Sequence, residues 1–218
     1  MPEDDDERQR RRDRRYGRET IEFGRVLGLS DSVFGIALTL LVFTLDASTV
    51  RLTGLSGVLT DQTGQLIAFG VSFAVIANFW WVHHRFFASL GLVEPGLVRL
   101  NLLLLGAVAL VPFPTSLLGR DPTVRGAVVP YLVLLSLVAV VHLLLLVRAN
   151  AAEAWRGPMP DGMFRWLLAG WGASAVVTLL ALGVAFLLPV AALAMLLLTW
   201  PVEALVAYRA PAGYRDWG

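Results

Sequence analysis

The sequence predicts an all-α fold: a polytopic membrane protein with six transmembrane helices per chain. Of its 218 residues, 56% are hydrophobic and only 16% are charged, whereas soluble domains have about 25% charged residues. The mean hydropathy is +0.67, and several apolar runs reach the ~20 residues that a helix needs to cross the hydrocarbon layer. The chain contains no cysteine, which excludes disulfides, cysteine-ligated metals and thiol chemistry.

Turn-forming residues separate the apolar runs. Glu94-Pro95-Gly96 marks a turn before the third run, and Gly157-Pro158 begins the linker between the fourth and the fifth. Leu188-Pro189 is the shortest connection, and it allows only a tight helical hairpin. The predicted spans are 22–45, 63–88, 96–118, 126–148, 163–187 and 190–208.

Two prolines fall inside the third span. Pro112 and Pro114 each remove a backbone hydrogen bond, and so they kink or break the helix. Lipid tolerates such a break only where neighbouring helices or water satisfy the freed carbonyl groups. We expect no second matching break and find no internal repeat, although secondary transporters usually show both.

Arginine supplies all 18 basic residues, and these are distributed unequally between the two sides of the membrane. Seven precede the first span, and most of the others flank the second and fourth connections or follow the sixth span. Only Arg51, Arg120 and Arg125 fall on the opposite side. The positive-inside rule therefore places both termini in the cytoplasm, which agrees with an even number of spans.

The net charge of +1 conceals a strongly charged N-terminal segment. Residues 1–20 combine a run of acids with the arginine cluster, and they predict a disordered cytoplasmic arm. Residues 21–210 are predicted to form one six-helix transmembrane domain, and residues 211–218 a cytoplasmic tail. We expect the arginine cluster to fix the topology and to bind anionic membrane lipid.

Asp31 interrupts the first apolar run with a carboxylate. A charge near the middle of a bilayer costs roughly 2.5–3.5 kcal/mol, so an acid there indicates a function or a helix-locking role. Because Ser30, Asp31 and Ser32 are consecutive polar residues, we expect Asp31 to be buried between helices. The alternative is a carboxylate that still reaches cytoplasmic water. Its expected hydrogen-bond donors are Asn78, His83, His84 and Asn101.

The adjacent His83 and His84 raise the question of a metal site. Neighbouring side chains on a helix point about 100° apart, so the two rings cannot easily bind one ion together. A zinc protease helix needs histidines at i and i+4 with a glutamate between them, and this spacing does not occur here. No nucleophile, base or metal ligands converge elsewhere in the sequence, so neither a metal site nor an enzyme is predicted.

The stripe Ile36, Leu40 and Phe43 follows Asp31 at helical spacing. Apolar residues in such a pattern usually form a packing or lipid-facing surface. The neighbouring Gly35 and Thr39 are small or polar, which does not suit a purely lipid-facing helix. The residues alone leave both interpretations open.

Three blocks in order resemble one family. The sequence Arg25-x-x-x-Leu29-Ser30-Asp31 is similar to the Arg-x-x-x-Phe-Ser-Asp signature of the transmembrane protein 175 family of potassium channels. Phe79-Trp-Trp-Val-His83-His84-Arg85-Phe-Phe87 is similar to the second helix of that family, and 100–115 to the third. Leu29 departs from the aromatic residue of the signature. The resemblance covers roughly the first 120 residues, and the last three spans resemble the family in number and hydropathy.

The resemblance implies a six-helix subunit of the bacterial type that assembles as a homotetramer in the plasma membrane. It implies a central pore lined by the first helix, with a narrow hydrophobic constriction at Ile36 and with Leu40 and Phe43 on the same face. It also implies that the Thr39 hydroxyl contributes to selectivity for potassium, the permeant ion. The implied polar network that locks the first three helices together consists of Arg25, Ser30, Asp31, His83, His84 and Asn101. No cofactor, metal or nucleic acid is implied.

Other functions remain open from the residues themselves. A secondary ion transporter is the main alternative, and a purely structural helix bundle is another. A channel passes current that grows with the driving force, whereas a carrier saturates at low ion concentration. A structural bundle would show neither behaviour.

Overall fold

The computed structural model describes residues 15–45 and 62–217. Within these ranges, six helical segments are long and apolar enough to cross a membrane: Ile21–Thr44, Thr63–Ser89, Pro95–Arg120, Arg125–Ala151, Met163–Ala185 and Pro189–Arg209. Each begins and ends within three residues of its predicted bounds, so the predicted all-α, six-span fold is confirmed. Residues 1–14 of the predicted arm lie outside the described residues.

The helices are numbered here in chain order. The first span is α1 (Ile21–Leu40) with a 3₁₀ turn (Leu41–Thr44), and the second is α2 (Thr63–Ser89). The third consists of α3 (Pro95–Leu110) and α4 (Pro112–Arg120), and the fourth is α5 (Arg125–Ala151). The fifth is α6 (Met163–Ala185), and the sixth joins α7 (Pro189–Met195), a 3₁₀ turn (Leu196–Leu198) and α8 (Thr199–Arg209). The last described helix is α9 (Tyr214–Trp217). Two short strands pair with each other: β1 (Tyr16–Gly17), which precedes α1, and β2 (Leu92–Val93), which lies between the second and third spans.

The third and fourth spans form the centre of the bundle. In their most apolar windows, 50% and 56% of the residues are buried, against 22% in the first span and 6% in the sixth. Helix α5 packs against α3 on one side and α6 on the other, while α1 packs against α2 and α3. The first span therefore lies at one edge of the chain, with much of its surface uncovered.

The third span is broken where the two prolines predict it. Helix α3 ends at Leu110 and α4 begins at Pro112. At the junction the Val111 amide donates to Val108 O at 3.1 Å. This bond spans three residues, so it closes a tighter turn than the regular α-helical bond. Thr115 Oγ1 lies 2.9 Å from Val111 O. Protein groups thus satisfy carbonyl oxygens at the break, as a helix in lipid requires.

The sixth span is also interrupted, so the expectation of a single broken span is wrong. A 3₁₀ turn at Leu196–Leu198 separates α7 from α8. Pro201 follows in the first turn of α8 and has no backbone N–H with which to reach the carbonyl of Leu197. The same rule that predicts the break at Pro112 explains this second one.

The segment just before α1 is ordered. Tyr16 and Gly17 pair antiparallel with Val93 and Leu92. The Arg18 guanidinium donates to the carbonyls of Ala88 and Leu90, each at 3.0 Å, at the end of α2. These bonds satisfy carbonyl groups that a helix end leaves without an internal partner. Residues 16–18, which fall in the predicted arm, are therefore joined to the connection between the second and third spans.

The C-terminal residues also fold back onto the bundle. Helix α9 contacts α2 and α6, and the ring of Trp217 lies 6.0 Å from that of Trp155. Tyr214 packs with Leu146, Met163 and Leu167 in a small apolar cluster. The predicted cytoplasmic tail thus covers one end of the helices.

Candidate functional site

A buried chain of hydrogen bonds joins the first three spans. The Asn101 amide nitrogen donates to Ser30 Oγ at 3.0 Å, and Asn101 Oδ1 accepts from His83 Nε2 at 2.8 Å. Ser30 in turn donates to Val26 O at 2.9 Å. Ser30, His83 and Asn101 are each no more than 2% exposed. Because every member has a partner, the chain fixes the positions of α1, α2 and α3 relative to one another.

Aromatic packing supports this chain. The ring of His83 lies 5.3 Å from that of Phe34 on α1 and 4.5 Å from that of Phe87 on α2. Phe34 is fully buried. The inner face of α1 is thus held by one apolar and one polar contact at nearly the same level.

Asp31 lies elsewhere. It is exposed on α1, and its Oδ1 accepts a hydrogen bond from Trp80 Nε1 at 2.9 Å. The expected burial of Asp31 among Asn78, His83, His84 and Asn101 is therefore wrong for the single chain. Neighbouring helix residues point about 100° apart, so Ser30 and Asp31 cannot both face the helix interface. Ser30 occupies the inner position, and Trp80 is a partner of Asp31 that the sequence did not suggest.

The two remaining members of the implied network lie at the surface of the chain. His84 is exposed, with its ring 5.4 Å from that of Trp80. Arg25 is exposed on α1, and its side chain makes no hydrogen bond within residues 15–45 and 62–217. The structure thus brings Ser30, His83 and Asn101 together, places Asp31 and His84 around Trp80, and leaves Arg25 apart.

The stripe of apolar residues on α1 is uncovered. The exposed fractions of Ile36, Leu40 and Phe43 are 57%, 39% and 80%. Thr39 is exposed beside them, and its hydroxyl donates to Ile36 O at 2.9 Å. Phe43 belongs to the 3₁₀ turn, in which residues three apart lie directly above one another. This geometry keeps Phe43 on the same side of the span as Leu40.

The opposite face of the first span is buried. Phe23, Ser30, Phe34, Ala37 and Leu41 follow one another at helical spacing, and each is at most 3% exposed. The first span is therefore packed on one side only. Its uncovered side combines the apolar stripe with small and polar residues, namely Gly24, Arg25, Gly28, Asp31, Ser32, Gly35 and Thr39.

A second polar contact lies farther along the spans. Ser72 Oγ donates to Tyr131 Oη at 3.2 Å, and Thr115 Oγ1 lies 2.9 Å from Ser72 Oγ. All three side chains are at most 1% exposed, and they join α2, α4 and α5. Hydroxyl residues are common in membrane helices, so no sequence signal distinguishes these from the rest.

Glu203 is an acid within a membrane span, and no motif around it marks it as a site residue. It lies on α8 and accepts a hydrogen bond from Ser174 on α6. Intramembrane carboxylates are rare and indicate a function by default, so its position in an apolar run is a signal that the sequence does contain.

Comparison with known proteins gives the same family in three ways. A family model described as "Endosomal/lysosomal potassium channel TMEM175" matches residues 25–112. A potassium channel of Streptomyces collinus is 43% identical over 102 residues, which cover 45% of this chain and 48% of that protein. A potassium channel of Chamaesiphon minutus is 36% identical over 129 residues, which cover 56% of this chain and 64% of that protein. The matched regions thus span about half and somewhat under two thirds of these relatives.

The folds agree over a longer stretch. A crystal structure of a lysosomal potassium-selective channel TMEM175 homolog from Chamaesiphon minutus superposes with a TM-score of 0.68 and 27% identity, covering 88% of this chain and 100% of that one. A structure of a variant of the potassium channel MtTMEM175 gives 0.63 at 17% identity, covering 88% and 94%, and supports the fold alone.

The family match and the fold point the same way. The matched residues 25–112 contain most of α1, the buried Ser30–Asn101–His83 chain and the uncovered stripe. The family consists of potassium channels and not of enzymes, as the sequence predicts. The family model, two relatives and one solved structure thus all connect this chain to the TMEM175 family.

Proposed function

We propose that this chain is one subunit of a potassium-permeable cation channel. The observation that carries the proposal is the uncovered side of the first span, where an apolar stripe and a threonine are exposed although the helix lies in a membrane protein. Four chains arranged around an axis would bring this side together, so the proposal includes a homotetramer with α1 lining the pore. The name given to the matched family supports potassium as the permeant ion.

The composition of this side distinguishes it from a lipid-facing surface. The sixth span exposes several large apolar residues together with alanines, and Leu197, Leu198, Trp200 and Leu205 are 50–63% exposed. The side of α1 carries Gly28, Ser32, Gly35 and Thr39 instead. Small residues allow close approach of helices, and hydroxyl groups in lipid would lack partners. A water-filled or subunit-facing position suits the first span better than lipid.

In this arrangement Ile36 forms the narrow hydrophobic constriction. A ring of apolar side chains in a narrow pore closes it by excluding water, and it conducts only when it widens or when polar groups lie nearby. Leu40 and Phe43 extend the apolar lining in the direction of the 3₁₀ turn. No Thr-Val-Gly-Tyr-Gly filter occurs in the sequence, so the pore must discriminate between ions in another way.

Thr39 supplies polar atoms next to the constriction. Its hydroxyl hydrogen is directed to Ile36 O, so its oxygen lone pairs remain available to a cation. Four such oxygens would replace part of the hydration shell of a permeating ion. The field strength of oxygen ligands affects potassium over sodium selectivity, and we assign this role to Thr39.

The polar network keeps the pore helix in place. Ser30, His83 and Asn101 hold the inner face of α1 against α2 and α3. Arg25 and Asp31 lie on the uncovered side of α1, and His84 is exposed on α2, where its ring neighbours that of Trp80. These three residues are assigned to contacts between subunits. The channel needs no cofactor, and its partners are copies of itself and membrane lipid. We further propose a bacterial plasma membrane location with both termini in the cytoplasm.

A secondary ion transporter is the second candidate, and one observation favours it. The third and sixth spans are both broken, as helices at transporter binding sites often are. The family and the structural neighbours are potassium channels, which supports the channel instead.

Single-channel recording of the reconstituted chain tests the proposal. With potassium on one side of the bilayer and sodium on the other, we expect discrete openings and a reversal potential displaced toward that of potassium. A current that saturates at low ion concentration, without discrete openings, would identify a carrier. Absence of any ion flux would leave only the structural bundle.

A further inference from the structure

Two adjoining cavities lie on the side of the chain away from the first span. The larger has a volume of about 530 Å³ and the smaller about 290 Å³. Their walls come mainly from α2, α5, α6 and the sixth span, with further residues from α4, the loop after it and α9. No residue of the described part of α1 lines either one. Volumes of this size are typical of small-molecule sites. Both cavities are thus separate from the side of α1 assigned to the pore.

The larger cavity has an almost entirely apolar wall with one acid in it. Its lining includes Phe79, Leu135 and Trp200, and Glu203 is the charged member among the described residues that line it. The Glu203 carboxyl accepts a hydrogen bond from Ser174, which also lines the cavity. No ion pair to Glu203 is formed within the described side chains. An acid in such a wall attracts a positively charged group that brings an apolar body with it.

The two cavities meet at Glu203. Glu203, Ser174 and Asn78 line both of them. The smaller cavity is also lined by His142, which is 4% exposed and whose Nε2 has no hydrogen-bond partner among the described residues. His142 Nδ1 lies 3.1 Å from Val138 O. A carbonyl can only accept, so Nδ1 carries the proton and Nε2 of the neutral ring is an acceptor.

The junction therefore presents acceptors. The Glu203 carboxylate seeks donors, and a primary ammonium group provides three. Arg85 lines only the smaller cavity, so its charge does not share the wall of the larger one. We propose that this cavity pair is a binding site for a lipophilic amine, with the ammonium group at Glu203 and Ser174 and the apolar body in the larger cavity.

Matched ligands test this assignment directly. The full chain is incorporated into lipid nanodiscs and titrated with 1-adamantylmethylamine, with the neutral 1-adamantanemethanol and with 1-adamantanecarboxylate, and empty nanodiscs provide the background. We expect saturable binding of the amine, about tenfold tighter than that of the alcohol, because a charge-assisted hydrogen bond is worth that much. Equal affinity for amine and alcohol, tighter binding of the carboxylate, or no saturable binding above the background would overturn the proposal.

Two pairs of variants locate the site. Glu203→Gln should bring the affinity for the amine down to that for the alcohol, whereas Glu19→Gln, at an exposed acid outside the spans, should leave the preference intact. Gly70 lines the larger cavity, and an added Cβ there meets no atom within 4 Å. Gly70→Leu should therefore fold and weaken both ligands. Gly183→Leu, at an equally open glycine outside the cavities, should weaken neither.

The variants also keep the assignment testable if one of them fails to fold. Should Glu203→Gln not yield protein, the preference of the unmodified chain for amine over alcohol and the effect of Gly70→Leu decide the matter. An undiminished preference in Glu203→Gln, or unchanged affinities in Gly70→Leu, would place the amine elsewhere.

Discussion

Asn101 donates its side-chain amide to Ser30 Oγ at 3.0 Å, and this bond ties the third span to the first. The same amide accepts from His83 through its oxygen, so one side chain serves as the common partner of two helices. A buried group that loses its partner retains the full cost of its desolvation. The stability of the first three spans should therefore depend strongly on this residue.

Asn101→Ala should lower the unfolding free energy by about 1–3 kcal/mol, because it leaves the buried His83 Nε2 without its partner and Ser30 with only its bond to Val26 O. The midpoint of thermal unfolding in detergent measures this change. Asn150→Ala is the control, since Asn150 is exposed and accepts a single hydrogen bond from Trp155. Equal midpoints for the two variants would show that the buried chain does not stabilise the bundle.

Ile36→Asn should raise the leak conductance, because a polar amide at the constriction allows water to enter a pore that is otherwise dry. Potassium flux into proteoliposomes provides the measurement. Leu180→Asn is a matched control, since Leu180 on α6 and Ile36 are both 57% exposed. The pore assignment fails if flux is unchanged in Ile36→Asn or rises equally in both variants.

Thr39→Ala should weaken the preference for potassium over sodium, because it removes the oxygen next to the constriction. Reversal potentials with potassium and sodium on opposite sides report the preference. Thr39→Ser keeps the hydroxyl and should retain most of it. If Thr39→Ala conducts with unaltered selectivity, another group must discriminate between the ions.

Asp31→Ala should reduce the yield of assembled oligomer more than it alters selectivity. The carboxylate lies about 15 Å along the helix axis from Ile21, yet it is exposed in the single chain, so a neighbouring subunit or water must surround it. Size-exclusion chromatography with mass determination measures assembly. Trp80→Phe removes the hydrogen bond to Asp31 and should show a weaker form of the same loss. A stable tetramer with changed selectivity would contradict the structural role.

The ion pair between Glu94 and Arg148 should make stability depend on pH. Burial would raise the pKa of Glu94, but hydrogen bonds from Arg148, Gly96 and Leu97 outweigh it and hold the pKa below its usual value. The stabilisation is thus complete above the ordinary glutamate pKa and disappears as the pH falls through the lowered value.

Glu94→Gln should accordingly be less stable than the unmodified chain at neutral pH, by about 1 kcal/mol. The difference should disappear at a pH below the lowered pKa. Thermal unfolding at several pH values measures both curves, with Glu153→Gln, at an exposed acid, as the control. A difference that persists unchanged in acid would rule out this ion pair as its source.

Hydropathy and proline placement determine most of the fold, which explains why the six spans and the break at Pro112 follow from the sequence. The break before Pro201 obeys the same rule, because Pro201 lies in the middle of the predicted sixth span, 190–208. The order of residues 16–18 depends on backbone pairing with the distant residues 88–93, and such pairing has no local signature.

The candidate site is predictable only in part. The residue types of the polar network are visible in the sequence, but their partners depend on the rotation of each helix. A rotation of α1 by about 100°, which corresponds to one residue, would place Asp31 instead of Ser30 at the buried interface. The sequence suggests that Trp80 belongs to an interfacial aromatic belt. That interpretation gives no indication of its hydrogen bond to Asp31. Glu203 becomes informative only when the structure shows the cavities around it.

The slight burial of the sixth span affects how such chains diverge. Where only 6% of a window is buried, exchanging one aliphatic residue for another costs little, since surface substitutions usually change stability by about 0.5 kcal/mol or less. At such positions the hydrophobic character of a residue matters more than its exact type. The family model matches residues 25–112, whereas the backbone superposes over 88% of the chain. The similarity in fold therefore extends beyond the residues that the family model matches.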